Sequence, residues 1–104
     1  LGARPELAVE PGDLSGVEAV ILCYPCWCGT MPMPVWTFLE GCDLAGKRIL
    51  PMCTNEGSGM GRSEADIRRL CPEAVVEKGL SVKGSAVESA GPAIEAWLKE
   101  NGVI

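Results

Sequence analysis

The stretch Val17-Glu18-Ala19-Val20-Ile21-Leu22-Cys23 is apolar at every position but one. It runs directly into Tyr24-Pro25-Cys26-Trp27-Cys28-Gly29. A run this short and this apolar reads as a strand buried on both faces, the usual state of a strand inside a parallel sheet. Arg48-Ile49-Leu50-Pro51-Met52-Cys53 repeats the pattern, with Pro51 a mild objection to a central position. A third run, Val75-Val76-Glu77-Lys78-Gly79-Leu80-Ser81-Val82, is less apolar and is expected nearer a sheet edge. The expected strands are therefore 17–23, 48–53 and 75–83.

Helix signals fill the gaps. Pro34 stands at a plausible first helical position and Gly41 ends the pattern. Ser63-Glu64-Ala65-Asp66 reads as a capping box ahead of Ile67, Leu70 and Cys71, with Pro72 as the stop. Pro92 opens a stretch in which Ile94, Trp97 and Leu98 share one face, and Asn101-Gly102 closes it as a left-handed cap. Helices are expected near 34–41, 63–71 and 91–101. The order β-α-β-α-β-α implies right-handed crossovers and a parallel sheet, two helices on one face and the last on the other. Residues 1–16 read as a loop-like lead-in to a single domain spanning 1–104.

Composition narrows the function. A chain of 104 residues makes one small domain. Its 14 acidic and 9 basic residues give a net charge of −5, which excludes a phosphate-gripping nucleic-acid surface. No apolar run approaches the ~18–20 residues of a membrane span. Histidine is absent, and Ser-His and Cys-His catalysis with it. Leu1-Gly2-Ala3-Arg4-Pro5 is neither an initiator nor a signal peptide, so the chain is expected to have lost residues or to be a piece of something longer. Cysteines at 23, 26, 28, 42, 53 and 71 are expected as free thiols of a reducing cytoplasm, with Cys23 and Cys53 buried at the ends of apolar runs. The cluster Cys23, Cys26, Cys28 leaves a thiol-redox or metal-binding alternative open, and a non-catalytic remnant is the third reading. Pro32 and Pro34 delay the helix that usually activates such a pair, and a fourth metal ligand is not apparent.

In a parallel sheet, ligands bind outside the carboxyl ends of the strands. Two long loops leave those ends, Tyr24 to Met33 and Thr54 to Arg62. The second is no dinucleotide loop, because Arg62 stands where Gly57-x-Gly59 would need another glycine. Aromatic residues beside a glycine-rich loop suit a planar ring held by a few backbone hydrogen bonds. Trp36, on the apolar face of its helix, is expected in the core, and Trp27 in contact with ligand.

Tyr24-Pro25-Cys26-Trp27-Cys28-Gly29-Thr30-Met31-Pro32-Met33-Pro34-Val35 resembles the first flavin loop of a bacterial branch of the flavodoxin family. Cys53-Thr54-Asn55-Glu56-Gly57-Ser58-Gly59, followed by Gly61-Arg62-Ser63, resembles its second. The likeness continues through Lys78-Gly79-Leu80, Gly84 and Trp97-Leu98, and covers nearly the whole chain from Pro5. It implies a flavodoxin-like three-layer α/β/α fold with a parallel sheet, truncated here to about three strands and three helices. It further implies an FMN-binding electron carrier or flavin-dependent oxidoreductase. Tyr24, Pro25, Trp27, Cys28, Gly29 and Thr30 would flank the ring on one side; Thr54, Asn55, Glu56, Gly57 and Gly59 would meet its other edge. No catalytic residue and no metal ligand is assigned. A redox partner protein or a small-molecule electron acceptor is implied, and a homodimer through the open edge of strand 17–23 is expected. Cys26 and Cys28 depart from the family, which commonly has an apolar residue and a second tryptophan there. The Ser/Thr-rich phosphate loop of the family pattern has no counterpart in this sequence. FMN is therefore expected to bind this chain weakly or not at all, with riboflavin nearly its equal.

Overall fold

Parallel pairing of the first two apolar runs builds the frame. The computed structural model describes residues 14–26 and 29–104; the rest of the lead-in, Trp27 and Cys28 lie outside the described residues. Strand β1 (Ala19–Pro25) is followed by helix α1 (Met33–Gly41), β2 (Arg48–Asn55), α2 (Ser63–Leu70), β3 (Val75–Val76), β4 (Leu80–Lys83), a 3-10 helix (Gly84–Ser89) and α3 (Gly91–Glu100). β1 runs parallel to β2 from Ala19↔Arg48 to Pro25↔Thr54. On its other edge β2 pairs in parallel with both β3 and β4. Both long strands run two residues further toward the loops than the apolar runs indicate. The 3-10 helix was not expected.

The third strand is split, where sequence gave one strand over 75–83. Pro51 explains the break. In β2 the Arg48 N–H bonds to Glu18 O, while Ile49 O accepts the Glu77 N–H. Even-numbered backbone groups of β2 thus face β1 and odd-numbered ones face β3 and β4. Proline 51 sits on the odd side with no N–H to give, and the ladder lapses opposite it. The Gly79 N–H turns instead to the Glu64 carboxylate at 2.7 Å.

Side-chain alternation divides the core. Leu22, Tyr24, Ile49 and Cys53 point to one face and bury against Met31, Trp36, Leu39, Leu44, Ile67 and Cys71 from α1, α2 and their flanking loops. Trp36 joins this core as expected, donating its indole N–H to Met31 O at 3.1 Å. On the opposite face α3 docks through two hydrogen bonds: Asn101 O accepts from Arg48 at 2.6 Å, and Trp97 donates to Lys78 O at 3.0 Å. The helix closes with Gly102 N–H on Lys99 O and Val103 N–H on Leu98 O, the expected cap. The last helix thus lies across the sheet from the other two.

That second face is unevenly covered. Leu50 is fully buried, yet Ile21 remains 43% exposed and Cys23 is exposed. Cys23 was expected inside; its parity along β1 turns it to the side that α3 does not reach. The capping box is also revised. Ser63 is buried and its hydroxyl bonds to Met60 O and Tyr24, so it makes no cap on α2. No helix among the described residues is long and apolar enough to cross a membrane.

Candidate functional site

Because both strands end at the same edge, the two loops that leave them meet. The crossing is tight. Gly29 O accepts the Arg62 N–H at 2.8 Å. Gly61 packs against the same peptide: a Cβ on Gly61 would lie 2.2 Å from Gly29 O, and its φ of +57° disfavours any side chain. One residue on, Thr30 donates its hydroxyl to Asp66 at 2.5 Å. Asp66 is buried and also accepts from Arg69 at 3.1 Å, with Arg62 beside it at 3.8 Å. A charged acceptor with several donors is the condition under which a buried carboxylate is tolerated. The first loop is thereby anchored to the start of α2.

Asn55 organises the second loop. Its side-chain oxygen accepts the N–H groups of Gly57 at 2.9 Å and Gly59 at 3.1 Å, a side-chain substitute for a backbone turn. Its amide nitrogen donates to Ser81 at 2.7 Å, tying the turn to β4. Glu56 lies against Gly84, where a Cβ would come within 2.2 Å of its carboxylate.

Between these pieces lies a cleft of about 360 Å³, lined by Pro25, Cys26, Thr54, Asn55, Glu56, Ser58 and Gly84. Pro25, Thr54, Asn55 and Glu56 were expected at a site, and the fold brings them to one cavity. Gly57 and Gly59 form the turn beside it, and Gly29 stands at the loop crossing. Thr30 is buried on Asp66. Tyr24 is 4% exposed, its ring in the core and its hydroxyl on Ser63 at 2.8 Å. Burial pushes the Tyr24 hydroxyl above its usual range, so it stays a neutral donor. Trp27 and Cys28 lie outside the described residues.

Sequence reasoning missed Ser58, Gly84 and the inward thiol of Cys26. Ser58 stood inside the recognised loop. Gly84 follows β4, and the rule that places loops at strand ends applies to that strand as well. Cys23 and Cys26 point to different surroundings: Cys23 is exposed, while Cys26 packs against the core cluster. Among the described residues no three cysteine or acidic side chains converge to hold a metal. The cleft presents one apolar wall, a carboxylate and amide-rich backbone, which suits a flat molecule with polar edges.

The family model for flavodoxin matches residues 2–101. This chain belongs to the flavodoxin family. Its sheet order, crossovers and paired loops are the flavodoxin-like fold. Among solved structures it is similar to a provisionally assigned flavoprotein from Bacteroides uniformis, at 27% identity and a TM-score of 0.77, over 89% of this chain and 60% of that one. A second provisionally assigned flavoprotein, from Bacteroides eggerthii, matches at 27% identity and a TM-score of 0.78, over 98% of this chain and 62% of that one. The chain thus spans about three-fifths of the length of the structures it resembles. No curated protein matches it.

Proposed function

We propose that this flavodoxin-family chain binds the isoalloxazine ring of FMN in the cleft between its two loops and serves electron transfer to a redox partner protein or a small acceptor. The observation that carries the reading is the Asn55-held turn, which faces Pro25 and Cys26 across a cavity of about 360 Å³. The similarity to provisionally assigned flavoproteins supports it. When bound, the flavin supplies the redox chemistry; the protein supplies position and electrostatics. Pro25 offers an apolar surface to one side of a ring. The backbone around Thr54 to Ser58 offers hydrogen bonds to its polar edge, and Glu56 places negative charge nearby. Negative charge beside a flavin disfavours its anionic reduced form and so lowers its potential. The acidic surface, net −5, suits electrostatic docking with a basic partner. Free thiols at Cys23, Cys26, Cys42, Cys53 and Cys71 fit a cytoplasmic protein.

These loops address the ring far better than the phosphate. Arg62 is the cation in the two loops, and it already leans on Asp66. A phosphate held by charge-assisted bonds gains about 1.5–3 kcal/mol from each, so a ring-only grip gives roughly micromolar or weaker affinity. Titrating the 104-residue chain with riboflavin and with FMN, read by flavin fluorescence, tests this. Both should bind, within about tenfold of each other. Failure of riboflavin to bind overturns the ring site; nanomolar FMN with strong preference over riboflavin overturns the ring-only grip.

A further inference from the structure

Cys26 and Cys53 converge at the floor of the loop crossing. Tyr24 pairs with Cys53 and Pro25 with Thr54 across β1 and β2. The ladder continues with the Cys26 N–H on Thr54 O at 2.8 Å. Cys26 therefore follows Tyr24 on the face that carries Cys53, one diagonal step along. Both thiols turn under the same bend of the second loop: Cys53 Sγ lies 3.5 Å from Gly59 O, and Cys26 Sγ 3.7 Å from Met60 O. The two carbonyls they approach belong to consecutive residues, so the thiols share one bend of the chain. Cys26 also lines the cleft, whereas Cys53 is fully buried.

We propose that Cys26 and Cys53 are a dithiol–disulfide couple, oxidised by small-molecule disulfides that reach Cys26 through the cleft. Attack of the Cys26 thiolate on such a disulfide forms a mixed disulfide and releases one small thiol. The Cys53 thiolate then attacks Cys26 Sγ, forms the intramolecular S–S bond and expels the second small thiol. Two protein thiols are oxidised and one external disulfide is reduced to two thiols; both thiol protons end on the leaving groups. The geometry also sets the character of the bond. Cys26 and Cys53 stand diagonally across a parallel strand pair rather than directly opposite each other, so a bridge between them needs some backbone movement. Closing the bridge draws the end of β1 toward β2 and stores strain, which makes the bond easily reduced. Labile disulfides of this kind are the switching ones. The couple needs no flavin, so its test is independent of the proposed flavin site.

The test uses the full chain without flavin. It is incubated with excess 2-hydroxyethyl disulfide at mildly alkaline pH, alkylated, digested with trypsin and mapped by mass. Cys53 is the one cysteine between Lys47 and Arg62, so a bridge to it joins that peptide to the one holding Cys23, Cys26, Cys28 and Cys42, and fragmentation of the joined pair assigns the bridge to Cys26 or to another of the four. The expected result is a Cys26–Cys53 bridge, with any other accessible thiol capped singly by the reagent, and full reversal by dithiothreitol. Cys26→Ser should abolish the bridge, and Cys42→Ala should leave it intact. Oxidation that joins Cys26 to Cys23 or Cys28, or leaves Cys26 and Cys53 separately alkylated or separately capped, overturns the proposal. Cys53→Ser risks misfolding because the site is buried, and the map of the unaltered chain decides without it.

Discussion

Gly61 and Gly59 separate two costs that glycine normally hides together. Both have positive φ, but a Cβ on Gly59 meets nothing within 4 Å, while one on Gly61 strikes the Gly29 carbonyl. Gly59→Ala should cost about 1–2 kcal/mol, the left-handed penalty alone. Gly61→Ala adds an overpacking cost of about 1–3 kcal/mol, because the obstacle is backbone. Urea denaturation of the two variants checks the order; equal costs would show that the loops separate freely. A second expectation concerns alkaline pH. Burial, opposed by the Asn55 hydrogen bond and helped by Cys26 and Glu64, pushes the Cys53 thiol up to about 11 from 9.0. Burial also raises Cys23, Cys42, Cys71 and Tyr24. A group whose folded pKa is raised stabilises fully below its unfolded pKa, and that contribution is lost as pH rises through the folded value. Stability measured under reducing conditions should therefore be level below pH 9 and fall steadily between 9 and 11. A flat profile across that window would contradict the burial of these groups.

At the level of elements, the second loop stands on Asn55 and α3 stands on Trp97. Asn55→Ala removes the acceptor for Gly57 and Gly59 and the donor to Ser81. It should cost about 1–3 kcal/mol and weaken riboflavin binding by about tenfold or more, since the amide-bearing turn loses its shape. Asn55→Asp keeps the acceptor and should retain more binding than the alanine variant; the reverse order in a fluorescence titration would remove the turn from the site. Trp97→Phe deletes the bond to Lys78 O and leaves that buried region less well packed. Its cost should be about 1–3 kcal/mol in denaturation, with riboflavin affinity unchanged. Loss of binding in that variant would mean that α3 shapes the cleft from the far face.

For the molecule as a whole, the side of β1 away from β2 is the feature that most invites association. Among the described residues β1 pairs with β2 alone. Glu18 O is directed at Arg48, so backbone groups of matching parity face β2 and those of Ala19, Ile21 and Cys23 face outward. An uncharged strand edge of this kind pairs readily with a second chain. Sedimentation equilibrium at tens of micromolar should show a dimer. Ile21→Lys, on the exposed face, should shift it to monomer while changing monomer stability by no more than about 0.5 kcal/mol. A monomer before substitution would dismiss self-association through this edge.

Three apolar runs, three helical stretches bounded by proline and glycine signals, and their alternation were enough to determine the parallel α/β architecture, because burial on both faces and the handedness of crossovers leave few alternatives. The two loops at the strand ends were legible for the same reason; Asn55, Glu56 and Pro25 were assigned to them by resemblance, and the fold places all three on one cavity. Tertiary structure alone decided the rest. Pro51 lies in an apolar run either way; only the register shows that its missing N–H faces the third strand and splits it. Cys23 and Cys53 end similar runs, yet one is exposed and the other buried, since which face a neighbouring helix covers is a non-local fact. Ser63 reads as a helix cap until Tyr24 claims its hydroxyl. Cys26 and Cys53 are far apart in sequence, and their meeting under one bend depends on how β1 registers against β2. Local patterns record what each segment must bury; partners across the sheet are chosen by packing, which no single segment contains.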